Sequence, residues 1–197
     1  MARVVVEFPS CVRDHRRVDV TALILAGGKA TRLGGIAKHE IVIGGETIFA
    51  RQVRVLSPRV SEVIVSGADV AGYRTVRDAI DGAGPLAGIA AGLAAATTEW
   101  LLVVAGDMPY LTGELIDQMI ALAGDDIDAV GVRSGGLPEP LLAVLSKRMV
   151  PLVEARLAAG RHKASGLLTD EGARVRWLDD PDPRALVNIN SPADLRE

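Results

Sequence analysis

The sequence predicts a doubly wound α/β fold with a mostly parallel sheet, and three observations carry that expectation. Strand-like and helix-like segments alternate along the chain, the order that builds successive βαβ units. The strand-like runs are almost entirely apolar, as in VTALILA (20–26) and WLLVVA (100–105), which suits strands covered on both faces. Aromatic residues are only 3% of the chain, so the core has to be assembled from Val, Leu, Ile and Ala.

In chain order, Val20 to Ala26 reads as a buried strand stopped by Gly27 and Gly28, with a polar loop from Lys29 to Lys38 behind it. Ile41 to Ile43 is a short extended piece ended by Gly44-Gly45. A helix from about Thr47 to Leu56 places Ile48, Phe49, Val53 and Leu56 on one face. Val63 to Val65 gives the second strand and Thr75 to Asp78 a third. Gly84 to Thr98 reads as a closely packed helix, because Gly84, Gly88 and Gly92 recur every four residues. Trp100 to Ala105 is a strongly apolar strand, and Thr112 caps a helix carrying Leu115, Ile116, Met119 and Ile120. Strands over Ala129 to Val132 and Leu141 to Leu145 follow, then a helix from about Ser146 to Ala159. Arg174 to Leu178 and Leu186 to Ile189 read as late strands, and Ser191-Pro192 opens a last helix. In such sheets ligands bind outside the carboxyl ends of the strands.

A chain of 197 residues suits one α/β domain. Its pattern starts at Val20, so residues 1–18 read as a flexible extension and 19–197 as the domain. Net charge is −3 with no long basic run, and stacking aromatics are scarce, which excludes nucleic acid as the main partner. Cys11 is the single cysteine, and His15, His39 and His162 are scattered, so neither a disulfide nor a thiolate or histidine metal site is expected. No run is long enough to cross a bilayer, and the first residues lack the apolar centre of a secretion signal. A cytoplasmic protein is expected.

Four segments carry chemistry. LAGGKATRLGG (25–35) is a glycine-rich loop after a strand, where backbone N–H groups can cradle phosphate and Arg32 and Lys38 can add charge. It is neither a P-loop nor G-x-G-x-x-G, and a plain turn would use the same glycines. VAGDMPYL (104–111) puts Asp107 at the carboxyl end of a strongly apolar strand, where a hard carboxylate suits Mg²⁺ and a turn-capping role is equally open. RDAIDGAGPLAGIAAGL (77–93) offers Asp78 to a base edge or ribose, with Gly84 and Pro85 leaving the backbone accessible; Gly88 and Gly92 read as packing residues. NINSPADL (188–195) sets Asn188 and Asn190 on one side of an extended piece beside a helix start, placed to hold phosphate or a metal-bound water, or simply to cap.

These segments, in this order and spacing from about Val20 to Leu195, resemble the molybdenum cofactor guanylyltransferase family. That family has the nucleotide-diphospho-sugar transferase fold, a Rossmann-like three-layer α/β/α arrangement around a mixed, mostly parallel sheet with one antiparallel strand. LAGG-x-x-x-R-x-GG is shared with sugar nucleotidyltransferases, whereas GPLAG, GDMPYL and NINSP narrow the match. The resemblance implies Mg²⁺-dependent transfer of GMP from GTP to molybdopterin with release of pyrophosphate. It assigns nucleotide contacts to Leu25, Ala26, Gly27, Lys38, Asp78 and Asp107, with Asp107 also the metal ligand; Gly28, Ser66, Gly84 and Pro85 are read as nucleotide positions beside them. Arg32, Lys38 and Asp107 would act in catalysis. The basic stretch GRHKASGLL (160–168), with Arg161 and Lys163, and the pair Asn188 and Asn190 would serve the molybdopterin side. Proteins that supply molybdopterin or mature molybdoenzymes are implied as partners.

Two positions depart from the family pattern. Ala37 stands where an Asp usually precedes the lysine, leaving Lys38 without a local partner, and Ser66 replaces an Asn that contacts nucleotide. The acceptor's phosphate is ionised at neutral pH, so positioning and charge neutralisation at the α-phosphate would suffice without a general base. Three other readings stay open: a molybdopterin cytidylyltransferase, a cobinamide-phosphate guanylyltransferase, and a non-catalytic GTP-binding molybdopterin carrier.

Overall fold

The structure, a computed structural model, describes residues 18–27, 29–30, 36–77, 84–169, 172–190 and 194. In chain order the elements are β1 (Val20–Leu25), β2 (Lys29–Ala30), β3 (Ile36–Ala37), β4 (Val42–Ile43), β5 (Glu46–Thr47) and α1 (Ile48–Leu56). Then come β6 (Glu62–Ser66), β7 (Arg74–Val76), α2 (Pro85–Ala95), β8 (Trp100–Ala105) and α3 (Gly113–Ala121). The chain continues through β9 (Ala129–Ser134), β10 (Leu137–Ser146), α4 (Val150–Ala158) and β11 (Val175–Asp179).

Seven strands form one sheet in the order β11-β9-β10-β8-β1-β6-β7. β10 runs antiparallel to both its neighbours, and every other adjacent pair is parallel. This is the mixed, mostly parallel sheet expected. Alternate residues of each central strand enter two separate cores. Ala22, Ile24, Val65, Leu102 and Val104 pack with Phe49, Leu56, Leu115 and Ile116 of α1 and α3 on one face. Leu23, Ile64, Leu101 and Val103 pack with Leu86, Ile89, Leu93 and Val153 of α2 and α4 on the other. All six residues of β8 are buried, which is why its sequence shows no polar alternation.

Local chemistry sets the helix starts. Thr47 Oγ1 accepts from the Ala50 N–H at 3.1 Å and Thr112 Oγ1 from that of Leu115 at 3.2 Å, so each threonine satisfies a donor that the first turn leaves open. Gly92 fits because a Cβ there would fall 2.6 Å from a methyl of Leu23, as its packing reading requires.

Some expectations need correction. The stretch 29–38 is not only loop: β2 and β3 pair antiparallel, and Lys38–Glu40 forms a 3-10 turn. Two-residue strands are too short for any periodicity to announce them. β5 was not expected either; it pairs with β4 across Gly44-Gly45, whose φ values of +58° and +84° suit a two-residue hairpin turn. Ser146 closes β10 and also caps the expected helix, its Oγ accepting from the Arg148 N–H at 3.1 Å; the first turn, Lys147–Met149, is 3-10, and α4 proper runs from Val150. Leu186 to Ile189 is not a strand. Pro183 and the Asp182 carboxylate, which accepts from the Arg184 N–H at 2.9 Å, wind Pro183–Leu186 into a 3-10 turn. Leu186 and Ile189 then point into two different apolar clusters. The expected third strand is shorter at Val76, and Asp78, the Ser191-Pro192 helix start and residues 1–17 lie outside the described residues. Among the described residues no helix is long and apolar enough to cross a membrane.

Candidate active site

β1, β6 and β8 end level, because Leu25 pairs with both Ser66 and Ala105. The chain segments just beyond these ends touch backbone to backbone. The Ala26 N–H donates to the Ser66 carbonyl at 2.8 Å, and the Gly106 N–H to the Leu25 carbonyl at 3.0 Å. Side chains are not tolerated there. A Cβ on Gly67, itself at φ +86°, would fall 2.5 Å from the backbone N and Cα of Gly27, and one on Gly106 would fall 2.7 Å from the Leu25 carbonyl oxygen.

Above this floor opens a cleft of about 530 Å³, the size class of small-molecule sites. It is lined by Leu25, Ala26, Gly27, Lys38, Ser66, Gly67, Gly84, Pro85, Gly88, Ala105, Gly106, Asp107 and Leu141. Gly84 and Pro85 open α2, whose first N–H groups have no side-chain cap and can accept negative charge. Gly88 packs as expected, since a Cβ would fall 2.7 Å from Ser66 Oγ, and it also forms cleft wall.

Lys38 stands at the centre of the polar contacts. Its Nζ donates to Asp107 Oδ2 at 2.8 Å and also to Asn190 Oδ1. Sequence reasoning left Lys38 without a local partner; its partners are 69 and 152 residues away along the chain, brought in by the fold. The buried ring of His39 fixes the turn beneath it, with Nδ1 donating to the Ala26 carbonyl at 3.1 Å. Asn190 is held in turn, its N–H donating to Asp194 Oδ2 at 2.8 Å. Asn188 does not join this contact; its amide donates to the Leu186 carbonyl at 3.2 Å. The two asparagines therefore make different contacts, Asn188 within its own turn and Asn190 with Lys38.

Two hard oxygens, from Asp107 and Asn190, converge on one cation, the donor set that suits Mg²⁺. Among the described residues no three His, Cys, Asp or Glu side chains gather, so a site here would be completed by ligand phosphates or water. Burial pushes the Glu139 carboxyl above the usual carboxylate range, and the Asp107 charge adds to the shift.

Of the expected nucleotide positions, Leu25, Ala26, Gly27, Lys38, Ser66, Gly84, Pro85 and Asp107 meet in the one cleft. Gly28, Arg32 and Asp78 lie outside the described residues. Arg161 and Lys163 are exposed on a loop whose His162 carbonyl comes up against Gly84, so that loop borders the cleft. Arg156, only 5% exposed, organises it by donating to the carbonyls of Lys163 at 3.3 Å and Ser165 at 3.0 Å. Sequence reasoning missed Arg156, His39, Glu139 and Gln52. Only Gln52 left a trace, as a polar residue one turn from both Ile48 and Leu56 on the buried face of α1.

Residues 22–176 match the family model described as the MobA-like NTP transferase domain. A molybdenum cofactor guanylyltransferase of Pseudomonas putida is 36% identical over 188 residues, covering 92% of this chain and 98% of that protein. A probable molybdenum cofactor guanylyltransferase of Methanosarcina mazei is 32% identical, covering 93% and 91%. Among solved structures, molybdopterin-guanine dinucleotide biosynthesis protein A of Archaeoglobus fulgidus superposes with a TM-score of 0.73 at 25% identity, covering 89% of this chain and 94% of that one. The 2-C-methyl-D-erythritol 4-phosphate cytidylyltransferase of Thermus thermophilus, at 17% identity and a TM-score of 0.69, shares the fold over 90% of this chain and 95% of that one.

Proposed function

Because this chain belongs to the MobA-like NTP transferase family, we propose that it is a molybdenum cofactor guanylyltransferase, transferring GMP from GTP to molybdopterin. The observation that carries the reading is the convergence of Asp107, Lys38 and Asn190 where three strands end on a bare backbone floor.

In the reaction an oxygen of the acceptor's phosphate bonds to the α-phosphorus of GTP, the bond to the β-phosphate oxygen breaks, and pyrophosphate leaves. The attacking oxygen is already anionic, so no side chain has to remove a proton. The chain's task is to hold two anions together in line. Backbone N–H groups after β1 and at the start of α2 would receive the phosphates, and Lys38, with Arg32 from the same loop, would balance their charge. Asp107, with Asn190 beside it, would hold Mg²⁺, which when bound neutralises phosphate charge as it develops. Ser66, Asp78, Gly84 and Pro85 would meet the nucleoside. Arg161 and Lys163 lie on the loop that would meet the acceptor, in the cytoplasm, where supplying and maturing proteins would engage it.

Thermal shift with GTP, CTP, ATP and UTP in the presence of Mg²⁺ tests base choice. A larger shift with GTP and Mg²⁺-dependent pyrophosphate release with molybdopterin are expected; preference for CTP or an absence of turnover would overturn the assignment.

A further inference from the structure

The turn that carries Asp107 is tied down at four consecutive residues. The Gly106 N–H donates to the Leu25 carbonyl at 3.0 Å, and the Asp107 carbonyl accepts from the Ile189 N–H at 2.9 Å. The two remaining ties come from one side chain. Gln52, on the buried face of α1 and 1% exposed, donates through Nε2 to the Ala105 carbonyl at 2.7 Å and to the Met108 carbonyl at 3.1 Å. Its amide spans the turn from below, with the residue before and the residue after Gly106-Asp107 held by the same nitrogen.

The chemistry of this contact is selective. Both carbonyls need donors, and a carboxamide supplies two N–H groups from one neutral atom. A glutamate would present only acceptors to them, and methionine or leucine no donors. Gln52 is also expensive to keep, because its Oε1 is buried without a hydrogen-bond partner. An unpartnered buried acceptor destabilises a fold. An apolar residue would complete the face between Ile48 and Leu56 without that burden.

We infer that Gln52 is a positioning residue for the reaction: it fixes the Asp107 turn so that the carboxylate meets the metal–nucleotide complex in one geometry. The inference rests on the reading that Asp107 holds Mg²⁺ with GTP. It assigns Gln52 a measurable effect on metal affinity and turnover with little effect on GTP binding as such.

The test uses the full chain and Mn²⁺ as probe, with Mn²⁺ binding in the presence of GTP followed by electron paramagnetic resonance. Gln52→Met is expected to weaken Mn²⁺ affinity and lower kcat by about tenfold each, the usual effect of removing a group that orients a metal ligand. The KM for GTP stays within about twofold, and raising Mg²⁺ restores part of the lost kcat. Leu56→Ala, which opens a hole on the same helix face, lowers Tm but leaves Mn²⁺ affinity at the wild-type value. Should Gln52→Met fail to fold, Gln52→Asn keeps the amide and shortens its reach, and the same shifts are expected. Wild-type metal affinity and kcat in a folded Gln52 variant, or an equal loss in Leu56→Ala, would overturn the inference. Asp107→Ala separates the premise: if it leaves Mn²⁺ affinity unchanged, the metal reading itself fails and the inference goes with it.

Discussion

At the amino end of β9, Asp128 is wrapped by arginine; just past the carboxyl end of β8, Asp107 meets one lysine in an open cleft. Arg174 gives Asp128 two guanidinium hydrogen bonds, of 2.8 and 3.0 Å, and a backbone N–H at 3.0 Å, and Arg148 stands 3.3 Å away. Those contacts hold its carboxyl at about 2. Both of its oxygens are taken by permanent neighbours, so its chemistry is finished when the chain folds. Among the described residues Asp107 has a single cationic contact, shared with Asn190, and it lies where β1, β6 and β8 stop together. β8 and β9 run in the same direction, so the two aspartates sit at opposite edges of the sheet. The edge decides what an otherwise similar ion pair is for.

The largest effect should come from Asp107→Ala. Pyrophosphate release is expected to drop by at least about a thousandfold, since the metal site contributes several kcal/mol in the transition state. Tm should hold, because the ion pair lost is partly exposed. A variant with wild-type turnover would make Asp107 a second Asp128. Next in size is Lys38→Ala, with kcat/KM for GTP down about ten- to a hundredfold, the worth of one charge-assisted hydrogen bond in a shielded site. Arg32→Ala should act similarly, and Arg32→Lys should not fully rescue it if the guanidinium engages phosphate with two donors.

Arg156→Met tests whether the basic loop belongs to the acceptor. Losing its ties to Lys163 and Ser165 should raise the KM for molybdopterin about tenfold, with the KM for GTP unchanged. Equal effects on both would detach the loop from the acceptor.

Asp128→Asn should show the smallest change and none in kinetics. Its folded carboxyl titrates at about 2 against an ordinary 3.8, so its contribution is complete above 3.8 and lost as pH falls through about 2. After allowance for an exposed Arg174, that is worth about 1 kcal/mol, or roughly 2–4 °C in Tm at neutral pH. Melting both proteins between pH 7 and 2 should show the difference closing toward the acid end. A constant difference would mean that the charge contributes nothing.

Much of this was legible in the chain because burial writes itself into sequence. β8 is an unbroken apolar run and β1 is broken only by Thr21, and Thr47 and Thr112 announce their helices by chemistry that acts within one turn. The glycines after β1 and Asp107 after β8 could be read as a site because strand ends are few and the residues there are not core residues. What could not be read depends on distance or direction. No local rule links Lys38 to Asn190, or Gln52 to the carbonyls at 105 and 108. The early part of β10 escaped because Pro138 and Pro140 argue against a strand, and they are tolerated only where the ladder to β9 shifts register.

That reversed strand has a consequence for what the protein can be made to accept. Because β10 runs against β8, its opening residues arrive at the edge where the neighbouring strands finish: Leu142 pairs with Val104, Leu141 reaches the cleft, and Glu139 comes within range of the Asp107 charge. One wall is therefore made of strand terminations locked to each other through main chain, where almost any added atom collides. The opposite wall is an overhang of one long ribbon, fixed deep in the core by Val144 and Leu145 but presenting ordinary side chains at its tip. Residues on the overhang can be exchanged without loosening the turns that hold the carboxylate. Libraries confined to positions 138 and 140, which face Ala164 and Ser165 of the basic loop, should retune the acceptor while leaving GTP handling intact.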